Sequence, residues 1–209
     1  MIAIVDYESS RTVNLKKALD DLGADSVLVN SIDRLERASK IILPACDSFP
    51  RAIRTLRDRG MLRPIFHAVD AGRPVLGIGQ GMHLLFDVSY EEGQHTGLGL
   101  VHGKVAAFQS AGYSPIANAS NRHLGFSPVQ WTNGFPLFVG MNSGETFYFD
   151  HAFHAEPLDD SVIGARARHN VEFSAAVQQA NLMGVEFLPE ESGDAGLKVL
   201  SAFTRLASN

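Results

Sequence analysis

Hydrophobic positions in the first ninety residues alternate between short apolar runs and helical repeats. Residues 1–5 form an apolar run, and leucine and alanine then recur at helical spacing from Leu15 to Leu22, until Gly23. The same alternation predicts further strands over 26–29, 41–43 and 75–78, and helices over 32–38, 49–59, 62–70 and 81–86. Strands that alternate with amphipathic helices predict a mainly parallel sheet with helices on both faces.

The pattern changes between Gly97 and Gly184, where the helical periodicity fades. Short segments separated by Gly, Pro, Asn and Asp predict strands of an antiparallel part of the sheet, over 103–108, 146–149, 162–167 and 175–179. A last strand over 182–187 precedes a helix over 195–206. No linker, repeat or low-complexity segment interrupts the chain, so we predict one α/β domain over residues 1–209.

Composition narrows the classes of function. The 209 residues are 45% hydrophobic and 20% charged, as in globular proteins and unlike disordered chains. A net charge of -5 without a basic tract argues against a nucleic-acid groove. A single cysteine, Cys46, allows no intramolecular disulfide, and no apolar run approaches the roughly 18 residues of a membrane span. We therefore expect a cytoplasmic protein that binds neither nucleic acid nor membrane and uses no cofactor.

The most informative segment covers residues 74–86, where an apolar strand passes through Gly77, Gly79 and Gly81 into a helix. A dinucleotide-binding G-x-G-x-x-G loop would need glycine in place of Met82. The other interpretation is a nucleophile elbow, G-x-nucleophile-x-G, in which a strained turn raises its central side chain above the end of the sheet. Here the central residue is Gly79, which has no side chain to react.

At this elbow and in several other segments, the sequence resembles the class I (triad) glutamine amidotransferases, most closely the glutaminase subunits of imidazole glycerol phosphate synthase from histidine biosynthesis. The matching segments occur in the family's order: residues 4–7, 16–19, 42–44, 77–78, 81–82, 84–86, 91–93, 97–99, 123–125, 148–149 with His151, 184–187 and 189–190. The resemblance implies a three-layer fold with a mainly parallel sheet and an antiparallel extension. It also implies a heterodimer with a (β/α)8-barrel synthase subunit that receives ammonia.

The sequence differs from the family at the residues that carry out the family's chemistry. The family's catalytic cysteine, histidine and glutamate map to Gly79, Leu188 and Glu190, so only the acid is retained. A thiolate that attacks the glutamine amide needs a histidine to carry the proton, and neither group is present at these positions. The sequence therefore predicts a degenerate amidotransferase subunit, a pseudoenzyme that cannot hydrolyse glutamine and acts as a scaffold or regulator of a synthase.

Positions around the family's glutamine pocket have changed as well. The oxyanion segment, usually proline-glycine-valine-glycine, is Pro-Ala-Cys-Asp at residues 44–47, and this places the Asp47 carboxylate where negative charge opposes catalysis. His83 replaces a glutamine of the family, and Ala152-Phe153 replaces serine-tyrosine. The alternative function is a different activity, or a small-molecule ligand, in a remodelled pocket with candidates Asp47, Gln80, His83, Glu92 and His151. A glutaminase with unrecognised catalytic groups is the third hypothesis.

Several residues have a structural interpretation beside the functional one. Cys46 is either a relocated nucleophile or, more commonly for a lone cysteine next to an apolar run, a packed side chain. Glu190 also suits a helix N-terminus, and the acidic pair before Gly93 suits a solvated loop.

Two further expectations concern a metal and a partner. His151 and His154 are close in sequence, but on one strand they would face opposite sides, so we expect no metal site. The family's docking face predicts a partner interface that includes His123, Phe126, Tyr148 and Phe153.

Overall fold

A computed structural model describes residues 1–108, 121–131 and 134–207. The strands, in chain order, are β1 Ile2–Val5, β2 Ser26–Val29, β3 Lys40–Leu43, β4 Val75–Ile78, β5 Phe86–Ser89, β6 His95–Thr96, β7 Val101–Ala107, β8 His123–Pro128, β9 Gln130–Trp131, β10 Thr146–His151, β11 Phe153–Pro157, β12 Ile163–His169, β13 Val171–Gln179 and β14 Leu182–Val185. The helices are α1 Ser10–Asp21, α2 Ile32–Glu36, α3 Phe49–Asp58, α4 Leu62–Asp70, α5 Gln80–His83 and α6 Gly193–Arg205.

The central sheet has eight strands in the order β2-β1-β3-β4-β14-β13-β12-β9. The five strands from β2 to β14 pair in parallel, and β13, β12 and β9 continue the sheet in antiparallel pairing. This confirms the predicted α/β class with a mainly parallel sheet and an antiparallel extension. Because β4 and β14 are neighbours, the segments that follow them meet at the same edge of the sheet.

Two smaller sheets lie outside the central one, where the sequence predicted only an extension. One is the two-stranded antiparallel sheet of β8 and β10, and the other has the order β11-β7-β5-β6. The segments predicted as strands over 103–108 and 146–149 belong to these sheets. The predicted helix over 81–86 ends instead at His83, because the backbone of Phe86 already pairs with Val101.

The core lies on both faces of the central sheet, as strand alternation requires. In β1, Ile2 and Ile4 pack on the side of α1 and α6, whereas Ala3 and Val5 pack on the side of α3 and α4. The close packing of the core on both faces of the sheet fixes the positions of the ends of β4 and β14. Within the described part of the chain, no helix is long and apolar enough to cross a membrane.

Candidate functional site

The turn between β4 and α5 has the backbone geometry of an elbow. Gly79 has φ 53° and ψ -121°, a conformation that residues with a side chain rarely adopt, and its N–H donates to Val185 O at 2.8 Å. A Cβ on Gly81 would lie 1.8 Å from Leu43 O, so only glycine fits there. In other proteins this sharp turn presents a nucleophile. Here the turn is retained around Gly79, which has no nucleophilic side chain.

The space above the elbow is apolar. A Cβ on Gly79 would lie 3.5 Å from Leu188 Cδ2 and 3.2 Å from the Cβ of Ala45. Leu188 is buried directly after the segment that follows β14, and its N–H donates to Tyr148 O. The positions that the resemblance assigns to nucleophile and base are thus adjacent in space, but Gly79 has no side chain and Leu188 offers only methyl groups.

Glu190 is half-buried in a 3-10 turn over Pro189–Glu191, next to α1 and α6. Burial raises the pKa of its carboxyl to about 7. Its Oε2 has no hydrogen-bond partner in the described part of the chain. A buried acceptor oxygen without a partner costs free energy.

A cavity of about 300 Å³ lies beside the elbow. The structure brings together four of the five predicted pocket residues here: Asp47, Gln80, His83 and His151. The fifth, Glu92, is exposed in a turn with φ 54° and does not line the cavity. Glu91 lines it instead, because its carboxylate turns inward and accepts a hydrogen bond from the N–H of Phe49 at 3.2 Å.

A buried ion pair forms the floor of the site. Nε2 of His83 lies 2.9 Å from the carboxylate of Glu186, and the two side chains are 1% and 0% exposed. Burial lowers the pKa of His83, but the charge and hydrogen bond of Glu186 outweigh this effect and raise it. Burial raises the pKa of Glu186, but His83 and His151 bring it down to about 2. The charge of Glu186 therefore favours the protonated form of the His83 imidazole.

A chain of hydrogen bonds continues from this pair. Nδ1 of His151 lies 2.8 Å from Phe153 O and 3.2 Å from Glu186 Oε1. Because a carbonyl only accepts, Nδ1 of His151 carries a proton, and its Nε2 lies 3.0 Å from Nδ1 of His123. Nε2 of His123 in turn lies 2.8 Å from the Ser127 hydroxyl. Both ring nitrogens of His151 and both ring nitrogens of His123 therefore have a hydrogen-bond partner.

His123 is not on the surface where a partner contact was predicted. It is 3% exposed, because strand alternation turns it to the inner face of the β8 and β10 sheet, opposite His151. Burial and the neighbouring His151 and His169 lower its pKa to about 3, so it is neutral. Phe153, also predicted at the interface, is half-buried and lines the cavity.

The outer face of the same two strands is exposed and apolar. Leu124 and Phe126 are 62% and 61% exposed, and the Phe126 ring contacts Tyr148 edge-on, with 5.4 Å between the centroids. Phe126 and Tyr148 are directly opposite in the strand register. The structure thus places these two predicted interface residues together on one surface.

The mouth of the cavity carries two arginines that share one carboxylate. Arg11 binds Asp150 Oδ2 at 2.5 Å, and Nε of Arg122 binds Oδ1 at 2.6 Å. Burial raises the pKa of Asp150, but the hydrogen bonds and charges of the two guanidinium groups outweigh this effect and lower it. These three groups together carry a net charge of about +1.

Two residues of the family's oxyanion segment have ordinary structural roles. Asp47 is half-exposed and accepts hydrogen bonds from Ser9 Oγ at 3.2 Å and Arg51 at 2.8 Å, so its charge is offset. The Cys46 thiol lines the cavity but is buried, and its pKa is raised by burial and by the charges of Glu91 and Asp47. A thiol in this environment is a poor nucleophile.

The histidines cluster around an aromatic ring. His151 and His154 do not face opposite sides, because the chain changes strand at Ala152 and both rings contact Phe108, at centroid distances of 5.2 and 4.6 Å. Among the described residues, no three histidine, cysteine or acidic side chains are arranged to hold a metal ion.

The sequence interpretation missed Glu186, Arg11 and Arg122 as site residues. A signal for Glu186 was present, because a charged residue inside the apolar run 182–187 needs a buried partner. No local pattern marks the two arginines, since Arg11 and Arg122 are joined only through Asp150 on a third element.

Comparison with known proteins finds relatives that match this chain over almost its whole length. The HisH subunit of imidazole glycerol phosphate synthase from Sulfurimonas denitrificans is 37% identical over 205 residues, which cover 98% of both chains. The HisH subunit from Gloeothece citriformis is 35% identical, over 97% of this chain and 94% of its own. No family model matches the chain.

Solved structures support the fold. The PurLQS structure from Thermotoga maritima matches with a TM-score of 0.74 at 20% identity, over 97% of this chain and 96% of that one. A glutamine amidotransferase structure matches with a TM-score of 0.72 at 19% identity, over 97% and 99%.

Proposed function

The chain belongs to the family of imidazole glycerol phosphate synthase HisH subunits, and from this premise we propose that it is an amidotransferase subunit that docks on a synthase but does not hydrolyse glutamine. The observation that carries the proposal is the apolar contact at the elbow, where Gly79 adjoins Leu188 and Ala45. Hydrolysis of the glutamine amide by this family's route needs a thiolate and a histidine at these positions.

The neighbouring groups supply no substitute. The Cys46 thiol has a raised pKa and donates a hydrogen bond to the carbonyl of Ser48, at 3.5 Å. The imidazole of His83 is held by Glu186 at the floor of the cavity. Glu190, the retained acid, is half-buried beside α1, and its Oε2 has no hydrogen-bond partner among the described residues. Within residues 1–108, 121–131 and 134–207, no nucleophile and base are therefore paired as in a triad.

The β8 and β10 sheet supports the docking half of the proposal. Its outer face exposes Leu124 and Phe126 beside the half-buried Tyr148, and aromatic anchors of this kind supply most of the energy at protein interfaces. The inner face is fixed by the hydrogen bond between His123 and His151, so the exposed face is held rigid before a partner binds. We infer that the partner is a synthase subunit of the (β/α)8-barrel type.

The docking surface gives a direct prediction. In pull-down and calorimetric titration with the synthase subunit of the same organism, Phe126→Ala and Tyr148→Ala should each weaken the complex by tenfold or more, since loss of an anchor costs over about 1.4 kcal/mol. Leu158→Ala is the matched control, because Leu158 is 82% exposed and lies outside this sheet. It should leave the affinity unchanged.

Two outcomes would contradict the docking proposal. One is a wild-type chain that binds no synthase subunit at micromolar concentrations. The other is a complex that tolerates both aromatic substitutions but is weakened by the Leu158 control.

A further inference from the structure

The docking surface on the β8 and β10 sheet continues into a charged end. In the strand register, the outward-facing pair of Tyr148 and Phe126 is followed by a second outward-facing pair. That second pair is Asp150 opposite Leu124. Arg122 lies two positions before Leu124, at the same end of the sheet. The aromatic anchors therefore border a carboxylate and a guanidinium that the aromatic contact does not involve.

The Asp150 carboxylate is saturated by two arginines. Its Oδ2 accepts from Arg11 at 2.5 Å, and its Oδ1 accepts from Nε of Arg122 at 2.6 Å. Each guanidinium has five N–H groups, so both arginines keep donors that this carboxylate does not use. Among the residues that the structure describes, neither guanidinium forms an ion pair with a second carboxylate. The cluster therefore has one uncompensated positive charge, and the Arg122 side chain is 49% exposed.

The family resemblance does not account for this cluster. Positions 11, 122 and 150 all lie outside the segments that match the family, although the neighbours of the last two positions match. The three residues come from α1, the segment before β8 and the strand β10, so the fold brings them together from distant parts of the chain. A role for the cluster must therefore be found in its own chemistry.

Docking changes the free energy of this charge. Asp150 is two residues from Tyr148 on β10, so a synthase subunit that covers the aromatic anchors also removes water from the charged end. A charge that loses water without a partner costs free energy, whereas a carboxylate can accept two hydrogen bonds from one guanidinium and remove that cost. A partner that lacks a carboxylate at this place is therefore disfavoured.

We propose that Arg122 binds a carboxylate side chain of the synthase subunit, and that this contact selects the synthase subunit that the chain accepts. The inference rests on the proposed docking function and adds the chemistry of the partner, which presents an aspartate or glutamate to the start of β8. Asp150 is a positioning residue, because it binds Nε of Arg122 and leaves other donors of the same guanidinium for the partner. The contact involves no ligand in the cavity beside the elbow.

The first test compares the affinity of the full chain for the synthase subunit of the same organism at low and high salt, by surface plasmon resonance. Arg122→Gln should weaken the complex about tenfold at low salt, since removal of one member of a covered charge pair raises the Kd. The loss should be smaller at high salt, because salt screens the attraction. Arg166→Gln is the matched control and should have no effect, since this arginine is 39% exposed and pairs with two carboxylates on and near β12.

The second test exchanges the charges across the interface. Arg122→Glu should weaken the complex about a hundredfold, because the substituted carboxylate repels both Asp150 and the partner. Replacement of one acidic residue of the synthase subunit by arginine should restore most of the affinity, and the acidic residues of its docking face are tested one at a time. Urea denaturation of the Arg122→Glu variant alone shows whether the chain is still folded.

Three outcomes would overturn the proposal: an affinity that Arg122→Gln leaves unchanged or lowers equally at both salt concentrations, an Arg122→Glu variant that no substitution in the partner rescues, or self-association of the isolated chain that Arg122→Gln abolishes. A complex that is weakened by Phe126→Ala but not by Arg122→Gln would overturn this inference and leave the docking proposal intact. Absence of any complex with the wild-type chain would overturn both.

Discussion

Replacement of His83 by leucine is expected to lower the free energy of unfolding by about 3–5 kcal/mol, because it leaves the Glu186 carboxylate buried with only His151 near it. The double variant, His83→Leu with Glu186→Met, should recover most of that loss, since a buried ion pair and an apolar pair of similar volume are often equally stable. Urea denaturation of the four proteins in the cycle measures the coupling.

The surface provides a matched control for the ion pair. His102 and Asp87 form the same kind of pair at 3.3 Å, but the histidine side chain is 78% exposed. His102→Leu should therefore change stability by at most about 1 kcal/mol. If His83→Leu cost no more than His102→Leu, the buried pair would not have the charge distribution described above.

The cost of His83→Leu should also depend on pH. The pKa of His83 is raised from its ordinary 6.5, so its contribution is complete below about pH 6.5 and is lost as the pH rises through the folded value. The pKa of Glu186 falls from 4.5 to about 2, so its contribution is present above about pH 4.5 and is lost as the pH falls toward 2. The destabilisation should be larger at pH 6 than at pH 9.

Restoration of the two lost catalytic groups is expected to fail. Gly79→Cys places a side chain at φ 53° and a Cβ 3.2 Å from that of Ala45, which costs about 1–3 kcal/mol of stability. Alone, the thiol would stay mostly protonated near its ordinary pKa of about 8.5. With Leu188→His added, Ala45 still crowds the elbow, and Ala152-Phe153 still differs from the family's glutamine site.

The expected turnover of the double variant is well below the roughly 1 per second that is typical of enzymes. Addition of Ala45→Gly is the informative third change, because it removes the 3.2 Å contact between the Cβ of Ala45 and a Cβ at position 79. A higher turnover after this third change would identify Ala45 as the main obstacle to catalysis. A double variant that turned over at about 1 per second would show that the pocket is intact, and would contradict the view that it has diverged.

Much of the fold could be predicted from the sequence because its signals are local. The apolar runs that became β1, β2 and β4 are short, uninterrupted and bounded by helix signals, and their bounds agree within a residue or so. The helix after Gly79 was predicted too long. Its apolar residues also suit a strand, and only the pairing of Phe86 with Val101, fifteen positions away, distinguishes the two.

The candidate site was only partly predictable, for a related reason. Gly79 and Leu188 could be mapped from segment order, Gln80 and His83 follow from their place next to the elbow, and His151 follows from the resemblance. Glu91 and Glu92 are equivalent in the sequence, and backbone turn geometry alone decides that Glu91 points inward.

Partners that belong to distant elements leave no local signal in one sequence. The pairing of His83 with Glu186 spans 103 positions, and that of Arg11 with Asp150 spans 139.

Ammonia release from L-glutamine by the complex with the synthase subunit is the measurement that decides whether the subunit has lost glutaminase chemistry. The complex is used because the proposed function places this subunit on a synthase, and an amidotransferase with its elbow cysteine intact serves as the positive control. With saturating glutamine, the complex should release no ammonia above the buffer background, since loss of the nucleophile in a comparable triad costs about a million-fold in kcat. Ammonia release at about 1 per second or faster would contradict this, and would mean that another group performs the attack.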